Sequence, residues 1–172
     1  MNTKYGFTLV ELMVVVSIIS LLSSVTLVSL NSARDKADTA YRIRTMEEYV
    51  KGVTLYRENT GAYPWGYPAF GYVCMASTNC GAIPPGATFN ALIDPYVKLQ
   101  PAFKTLADPS GNLYGPYYFC ASVNPTNSCA QAYITWSQKG IHQPCNILGV
   151  TSTEILSIYS TLTICKANFD NL

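Results

Sequence analysis

The sequence predicts an α+β protein in which a long N-terminal α-helix, apolar through its first half, packs against a C-terminal antiparallel β-sheet head with disulfides. Three observations carry that prediction. Phe7 to Leu30 is apolar except for Glu11 and scattered hydroxyl residues. From Ala33 onward apolar residues recur every three or four positions, and neither Gly nor Pro intervenes before Gly52. Past Gly61 the chain becomes rich in Tyr, Pro, Gly, Asn, Ser and Thr, and all six cysteines lie there.

The apolar run comes first. As a helix, Phe7 to Leu30 measures roughly 36 Å against a hydrocarbon core of about 30 Å, so it spans a bilayer. A secretory signal peptide would carry a shorter apolar stretch and a small-x-small cleavage site, which Asn31-Ser32-Ala33 matches poorly. Glu11 is the anomaly. After it no charge appears until Arg34, and an unpaired acid in hydrocarbon is costly enough to imply a partner.

The second half of the helix is amphipathic. Ala33, Ala37, Ala40, Ile43, Met46, Val50, Val53 and Tyr56 form an apolar stripe at helical period, and mixed charges from Arg34 to Lys51 occupy the rest of the surface. Asn59-Thr60-Gly61 and then Pro64 supply stop signals. One helix from Phe7 to Asn59, about 80 Å long, is expected, with its stripe packed on the head.

Short elements follow. Phe89–Ile93 and Tyr96–Leu99 predict a brief helical stretch ending before Pro101. Gly115–Cys120 and Ala132–Trp136 predict a β-hairpin whose turn is bracketed by Cys120 and Cys129. Ser157–Cys165 is Ile/Thr-rich and predicts a strand, with a short helix as rival because Thr151-x-x-Glu154 has the form of a capping box. Tyr63–Phe70 reads as a turn packed under the sheet rather than an exposed aromatic patch.

Composition narrows the function. The 172 residues carry 11 basic and 10 acidic side chains, a net charge of +1, which gives no electrostatic footprint for nucleic acid. The cysteines Cys74, Cys80, Cys120, Cys129, Cys145 and Cys165 point to disulfides and an oxidising compartment. Zinc is the competing reading, but there is no Cys-x-x-Cys, and the only histidine, His142, stands in a single His-x-x-Cys. Six cysteines allow 15 pairings; bridges between sequence neighbours, Cys74–Cys80, Cys120–Cys129 and Cys145–Cys165, are expected. Lys and Arg are denser after the apolar run than before it, which would leave the C-terminal side in the cytoplasm. The cysteines argue the reverse, and they are given precedence because a reducing cytosol would leave the head's loops unheld.

Nothing in the head calls for an enzyme or a cofactor. A Ser/His/Asp arrangement would have to use His142, and no nucleophile motif surrounds it; His142 reads as a surface loop residue. Asp94-Pro95 and Asp108-Pro109 read as turn formers.

Lys4-Tyr5-Gly6-Phe7-Thr8-Leu9-Val10-Glu11 resembles the processing site of type IV pilins and of the pseudopilins of type II secretion: a short basic leader ending in Gly, then Phe, then Glu four residues on, then an apolar helix. Asn31–Ala37 and Leu55–Pro64 resemble the later helix and the exit of such subunits, and Asp108-Pro109-x-Gly111-Asn112-x-Tyr114 resembles a turn in their heads. The resemblance implies a type IV pilin-like fold and four regions: a cleaved leader at 1–6, a transmembrane and polymerisation helix at 7–30, its amphipathic continuation at 31–60, and an extracytoplasmic head at 61–172. It implies cutting between Gly6 and Phe7 by a prepilin peptidase, N-methylation of Phe7, and an assembly role for Glu11 against the Phe7 amine of a neighbouring subunit.

The partners so implied are other copies of the chain and related pilins in a helical filament, the peptidase and methyltransferase, an inner-membrane assembly platform, and membrane lipid. The chain would pass once through the cytoplasmic membrane before assembly and then stand in a pilus or pseudopilus at the cell surface or in the periplasm. Some major pseudopilins bind calcium in a head loop. Asp108-x-Ser110-x-Asn112 offers alternating oxygens for it, but Leu113 replaces the calcium-loop Gly and no closing Glu follows. The alternative to a filament subunit is a signal-anchored extracytoplasmic binding or adhesion module. Pilus and secretion pseudopilus stay open, as do major and minor subunit.

Overall fold

The computed structural model describes residues 6–65, 72–75, 86–97, 105–108, 110–111, 113–123, 129–150, 152–158 and 161–169. Its element order is α1 (Leu9–Thr60), β1 (Tyr72–Cys74), α2 (Ala87–Ile93), β2 (Leu106–Ala107), β3 (Leu113–Tyr114), β4 (Tyr117–Val123), β5 (Cys129–Lys139), β6 (Ser152–Ile158) and β7 (Leu162–Asn168). A five-stranded sheet runs β1-β4-β5-β7-β6, every pairing antiparallel, and β2-β3 form a separate two-stranded ribbon. The architecture is α+β and pilin-like: a long apolar-to-amphipathic helix, an antiparallel sheet and disulfides. The chain divides into two compact units between Asp38 and Thr39, inside α1.

Helix α1 ends where the stop signals stand. Gly61 takes φ +78°, which the absence of a Cβ permits, and donates its N–H to the Arg57 carbonyl over 2.7 Å. In the first unit the apolar side chains stand exposed, from Leu9 (69%) to Leu27 (62%). In the second unit Met46, Tyr49, Val50 and Val53 are buried, and Ile43 and Tyr56 pack beside them. The expected stripe is thus shorter than its periodicity suggests, because Ala33, Ala37 and Ala40 are exposed. Arg42, read from sequence on the charged surface, is buried. It lies on the same helical face as Thr45, Met46 and Tyr49, and its aliphatic stem is apolar enough to join that face.

The sheet's inner face meets this helix. Tyr118, Ala132, Ile134, Trp136, Cys165 and Ala167 form one core with Met46, Tyr49, Val50 and Val53. Trp136 is fully buried, and such a side chain contributes about 3–5 kcal/mol by truncation standards. Helix α2 closes one side of the core with Phe89 and Ile93, the Phe89 ring lying 4.5 Å from that of Tyr118. It can approach α1 because Gly52 is there; a Cβ at Gly52 would lie 2.7 Å from Val97 Cγ2. Asp94 to Tyr96 form a turn after α2, the role read for Asp94-Pro95. Residues 98 and 99 of the expected helical stretch lie outside the described residues.

The hairpin expected from Gly115–Cys120 and Ala132–Trp136 is β4–β5, with Tyr118 opposite Ile134 and Cys120 opposite Ala132. Two disulfides join Cys120 to Cys129 and Cys145 to Cys165. Cys74 is also disulfide-bonded; Cys80 lies outside the described residues. Ser157–Cys165 is not one strand but parts of two. β6 and β7 pair antiparallel, with Glu154 opposite Lys166. Glu154 therefore serves a cross-strand ion pair at 2.7 Å rather than a helical capping box. Lys166 holds the Glu154 carboxyl below its usual range through a hydrogen bond and charge.

The helix exit is fastened to the sheet from below. Tyr63 and Pro64 are buried, the Tyr63 hydroxyl donates to the Phe169 carbonyl, and the Tyr118 hydroxyl donates to the Pro64 carbonyl over 2.9 Å. The first residues of the Tyr63–Phe70 run are thus packed, while residues 66–70 lie outside the described residues.

Candidate functional site

Most of the residues singled out for processing and assembly lie at the start of α1. Gly6, Phe7 and Thr8 precede the helix, which begins at Leu9 rather than at Phe7 as its apolar pattern implied. The shift has a local cause. Thr8 acts as N-cap: its carbonyl accepts the Leu12 N–H at 3.3 Å, and its Oγ1 accepts the Glu11 N–H at 3.3 Å. Glu11 answers in kind, with its Oε2 accepting both the Thr8 N–H at 2.9 Å and the Thr8 hydroxyl at 2.7 Å. This is a capping box, Thr8-x-x-Glu11. Helix-dipole attraction favours the same placement of an acid in the first turn.

Thr8 is the residue that sequence reasoning missed. The signal was present, since Thr followed three positions later by Glu ahead of an apolar run is the capping-box pattern itself.

The Gly6–Phe7 bond lies in non-helical chain. Among the described residues, no atom beyond the chain neighbours stands within 4 Å of where a Gly6 Cβ would sit, and Phe7 is 79% exposed. Both features suit entry into a protease cleft, because cleavage needs unfolded, reachable backbone. Lys4 and the rest of residues 1–5 lie outside the described residues.

Downstream, the apolar first stretch of α1 is compatible with membrane anchoring. An 18-residue window reaches a mean hydropathy of 2.4, and none of that window is buried in the protein's own core. Its hydroxyls do not need water. Ser17 donates to the Val14 carbonyl, Ser20 to Val16, Ser23 to Ile19, Ser24 to Leu21 and Thr26 to Ser23, all within 2.9 Å. Polar groups satisfied by their own helix can stand in hydrocarbon.

The remaining candidates lie elsewhere in the fold. Asp108 is buried, its Oδ1 accepts the Ser110 N–H at 2.8 Å, and its Oδ2 is 3.4 Å from the Tyr114 hydroxyl. The carboxylate is thus engaged in its own Asx turn, with Gly111 donating to the Asp108 carbonyl at 2.9 Å. Of the calcium candidates, Ser110 donates its backbone N–H to Asp108, and Asn112 lies outside the described residues. His142 is exposed at φ +54° in the loop after β5.

Residues 1–27 match the family model for the prokaryotic N-terminal methylation motif. No curated protein and no solved structure matches the chain. The matched residues contain Gly6, Phe7, Thr8 and Glu11 together with most of the apolar run. The motif supports a type IV pilin-like prepilin, and with it a structural subunit that a prepilin peptidase processes.

Proposed function

We propose that this chain is the precursor of a filament subunit of a type IV pilus or of a secretion pseudopilus. The peptidase cuts after Gly6, Phe7 is methylated on its new amine, and the mature chain polymerises through the apolar helix. Residues 1–6 are the leader, 7–30 the membrane and polymerisation helix, 31–60 its amphipathic continuation and 61–172 the head. Before assembly the chain passes once through the cytoplasmic membrane with its head on the extracytoplasmic side, where disulfides persist. Its partners are further copies of itself or related subunits, the processing enzyme and an inner-membrane assembly platform.

The observation that carries this reading is the junction of two features within the first 30 residues. A methylation motif covers the start of a helix whose apolar first stretch is not buried in the protein's own core. Such a surface needs lipid before assembly and neighbouring helices after it. Glu11 supplies what apolar packing lacks. One apolar rod slides along another with little preference, whereas an acid on one and an amine on the next permit a single axial offset.

Two variants test the reading. Glu11→Ala should be cut and inserted as in the wild type yet yield few filaments; filament yield equal to wild type would remove Glu11 from assembly. Gly6→Leu should block cutting and leave insertion intact, and normal processing of that variant would displace the cleavage site.

A further inference from the structure

We propose that the outer face of the five-stranded sheet carries a binding site for a neutral oligosaccharide, which stacks on a row of aromatic rings and hydrogen-bonds to the polar side chains that continue the row. The site lies wholly in the head and is independent of the filament reading.

Its core is a single cross-strand row. Tyr72 on β1 lies opposite Phe119 on β4, Phe119 opposite Tyr133 on β5, Tyr133 opposite Asn168 on β7, and Asn168 opposite Ser152 on β6. The first three are aromatic and in contact, with ring centroids 4.8 Å apart for both Tyr72–Phe119 and Phe119–Tyr133. Tyr117 adds a fourth ring, 5.5 Å from that of Tyr72. At the usual strand spacing the aromatic part of the row extends about 10 Å, the length of a disaccharide. Asn168 and Ser152 then carry it on, the Asn168 amide donating to the Ser152 hydroxyl at 3.1 Å.

Sheet stability alone does not explain this placement. Cross-strand aromatic pairs do stabilise a sheet, but an antiparallel sheet with its core on one face is ordinarily polar on the other. Elsewhere the fold covers the outer face. Thr135 and Ser137 are buried there, and the Ser137 hydroxyl donates to the Tyr114 carbonyl of β3 over 2.7 Å. The rings stand outside that cover: Tyr72 is 47% exposed, and Tyr117, Phe119 and Tyr133 are partly so. A contiguous apolar patch with a polar rim is the mark of a binding surface.

Charge selects the ligand. In the neighbouring row Lys166 lies opposite Glu154, its Nζ 2.7 Å from Oε1 and 4.9 Å from the centre of the Tyr133 ring. The two charges cancel, so they offer no positive field to a nucleic-acid backbone or an anionic headgroup. A wholly apolar partner would strip water from Lys166, Glu154 and Asn168 without replacing its hydrogen bonds. A pyranose satisfies both ends, because its C–H face stacks on an aromatic ring while its hydroxyls take the place of water. The Tyr133 and Tyr72 hydroxyls stand 3.5 Å apart, too far for a firm bond to each other, and so can serve a ligand's hydroxyls.

Full-length chain in phosphatidylcholine nanodiscs, prepared without sugar-headed detergent, is titrated by calorimetry with cellohexaose, chitohexaose and maltohexaose. At least one should bind, with a Kd that does not change up to about 1 M salt, since screening acts only between charges. Tyr72→Ala should weaken that binding about tenfold, the scale of losing one stacking ring. Tyr72→Phe keeps the ring and should stay within about threefold of wild type. A measurement on the wild type removes any dependence on how the variants fold: saturating sugar should shield Tyr72 from nitration by tetranitromethane, read by peptide mass spectrometry.

Failure of all three sugars to bind would overturn the proposal. So would full binding by Tyr72→Ala, or nitration of Tyr72 undiminished by bound sugar. Binding of single-stranded DNA or of anionic vesicles in place of sugar, lost in Tyr72→Ala and at high salt, would assign the face to a charged partner and overturn it equally.

Discussion

The Tyr49 hydroxyl donates to the Met75 carbonyl oxygen over 2.7 Å, joining the buried face of α1 to the residue that follows β1. Burial, with a smaller push from Tyr41, raises the Tyr49 hydroxyl to about 12 from its ordinary 10.0. Tyr118, donating to the Pro64 carbonyl, is also held well above its ordinary value, by burial first and then by Tyr63 and Tyr56. Tyr49→Phe leaves the Met75 carbonyl buried without that donor and should cost about 1–2 kcal/mol of head stability. The pH dependence has a fixed sign. Between pH 10 and about 12 the unfolded chain loses the Tyr49 proton while the folded chain keeps it, so stability present below pH 10 is lost as pH rises through that window. Denaturant unfolding of wild type and variant across that range checks both, and an equal alkaline slope for the two would contradict the assignment.

Gly86 is the N-cap residue just before α2, where the chain touches β1. A Cβ there would stand 2.1 Å from Val73 Cγ1 and 3.0 Å from the Cys74 carbonyl oxygen, and the Gly86 N–H donates to that same oxygen at 2.6 Å. Its φ of −78° is open to any residue, so space and not conformation demands glycine. Gly86→Ala should therefore destabilise the head by about 1–3 kcal/mol through overpacking. A thermal midpoint equal to or above wild type would contradict the close approach.

The two described disulfides close loops of different length, with sequence separations of 9 for Cys120–Cys129 and 20 for Cys145–Cys165. Chain-entropy arguments assign about 3 kcal/mol to each, with the longer loop contributing more by under 1 kcal/mol. Replacing each pair by serines should destabilise the head in that order, as read by tryptophan fluorescence in denaturant. The reverse order would show that strain or residual unfolded-state structure outweighs loop closure.

How much of this was legible beforehand follows from the physics of each signal. Helix α1 was readable because its period persists for dozens of residues and its end carries Gly61 and Pro64. The β4–β5 hairpin was readable because aromatic and β-branched runs flank Cys120 and Cys129. β6 and β7 were blurred into one because Ile and Thr continue across their junction, and the Glu154–Lys166 pairing that separates them is a tertiary fact. Burial of Arg42 was hidden by its charge, since side-chain type marks the surface while position on the helical face decides the packing. At the candidate site Glu11 stood out as the one charge in an apolar segment, whereas Gly6 and Phe7 were legible only through the resemblance to pilin processing sites. Thr8 did not stand out, because a hydroxyl among several in an apolar run looks unremarkable until its hydrogen bonds to Glu11 are seen.

The central claim is that the chain becomes a filament subunit only after losing residues 1–6. Mass spectrometry of filaments sheared from the native host, under non-reducing conditions, tests it most directly. The account predicts a mature chain that begins at Phe7, carries one added methyl on that amine and retains the Cys120–Cys129 and Cys145–Cys165 bridges. A chain that still begins at Met1, recovered as an unassembled membrane protein with no filament fraction, would contradict it.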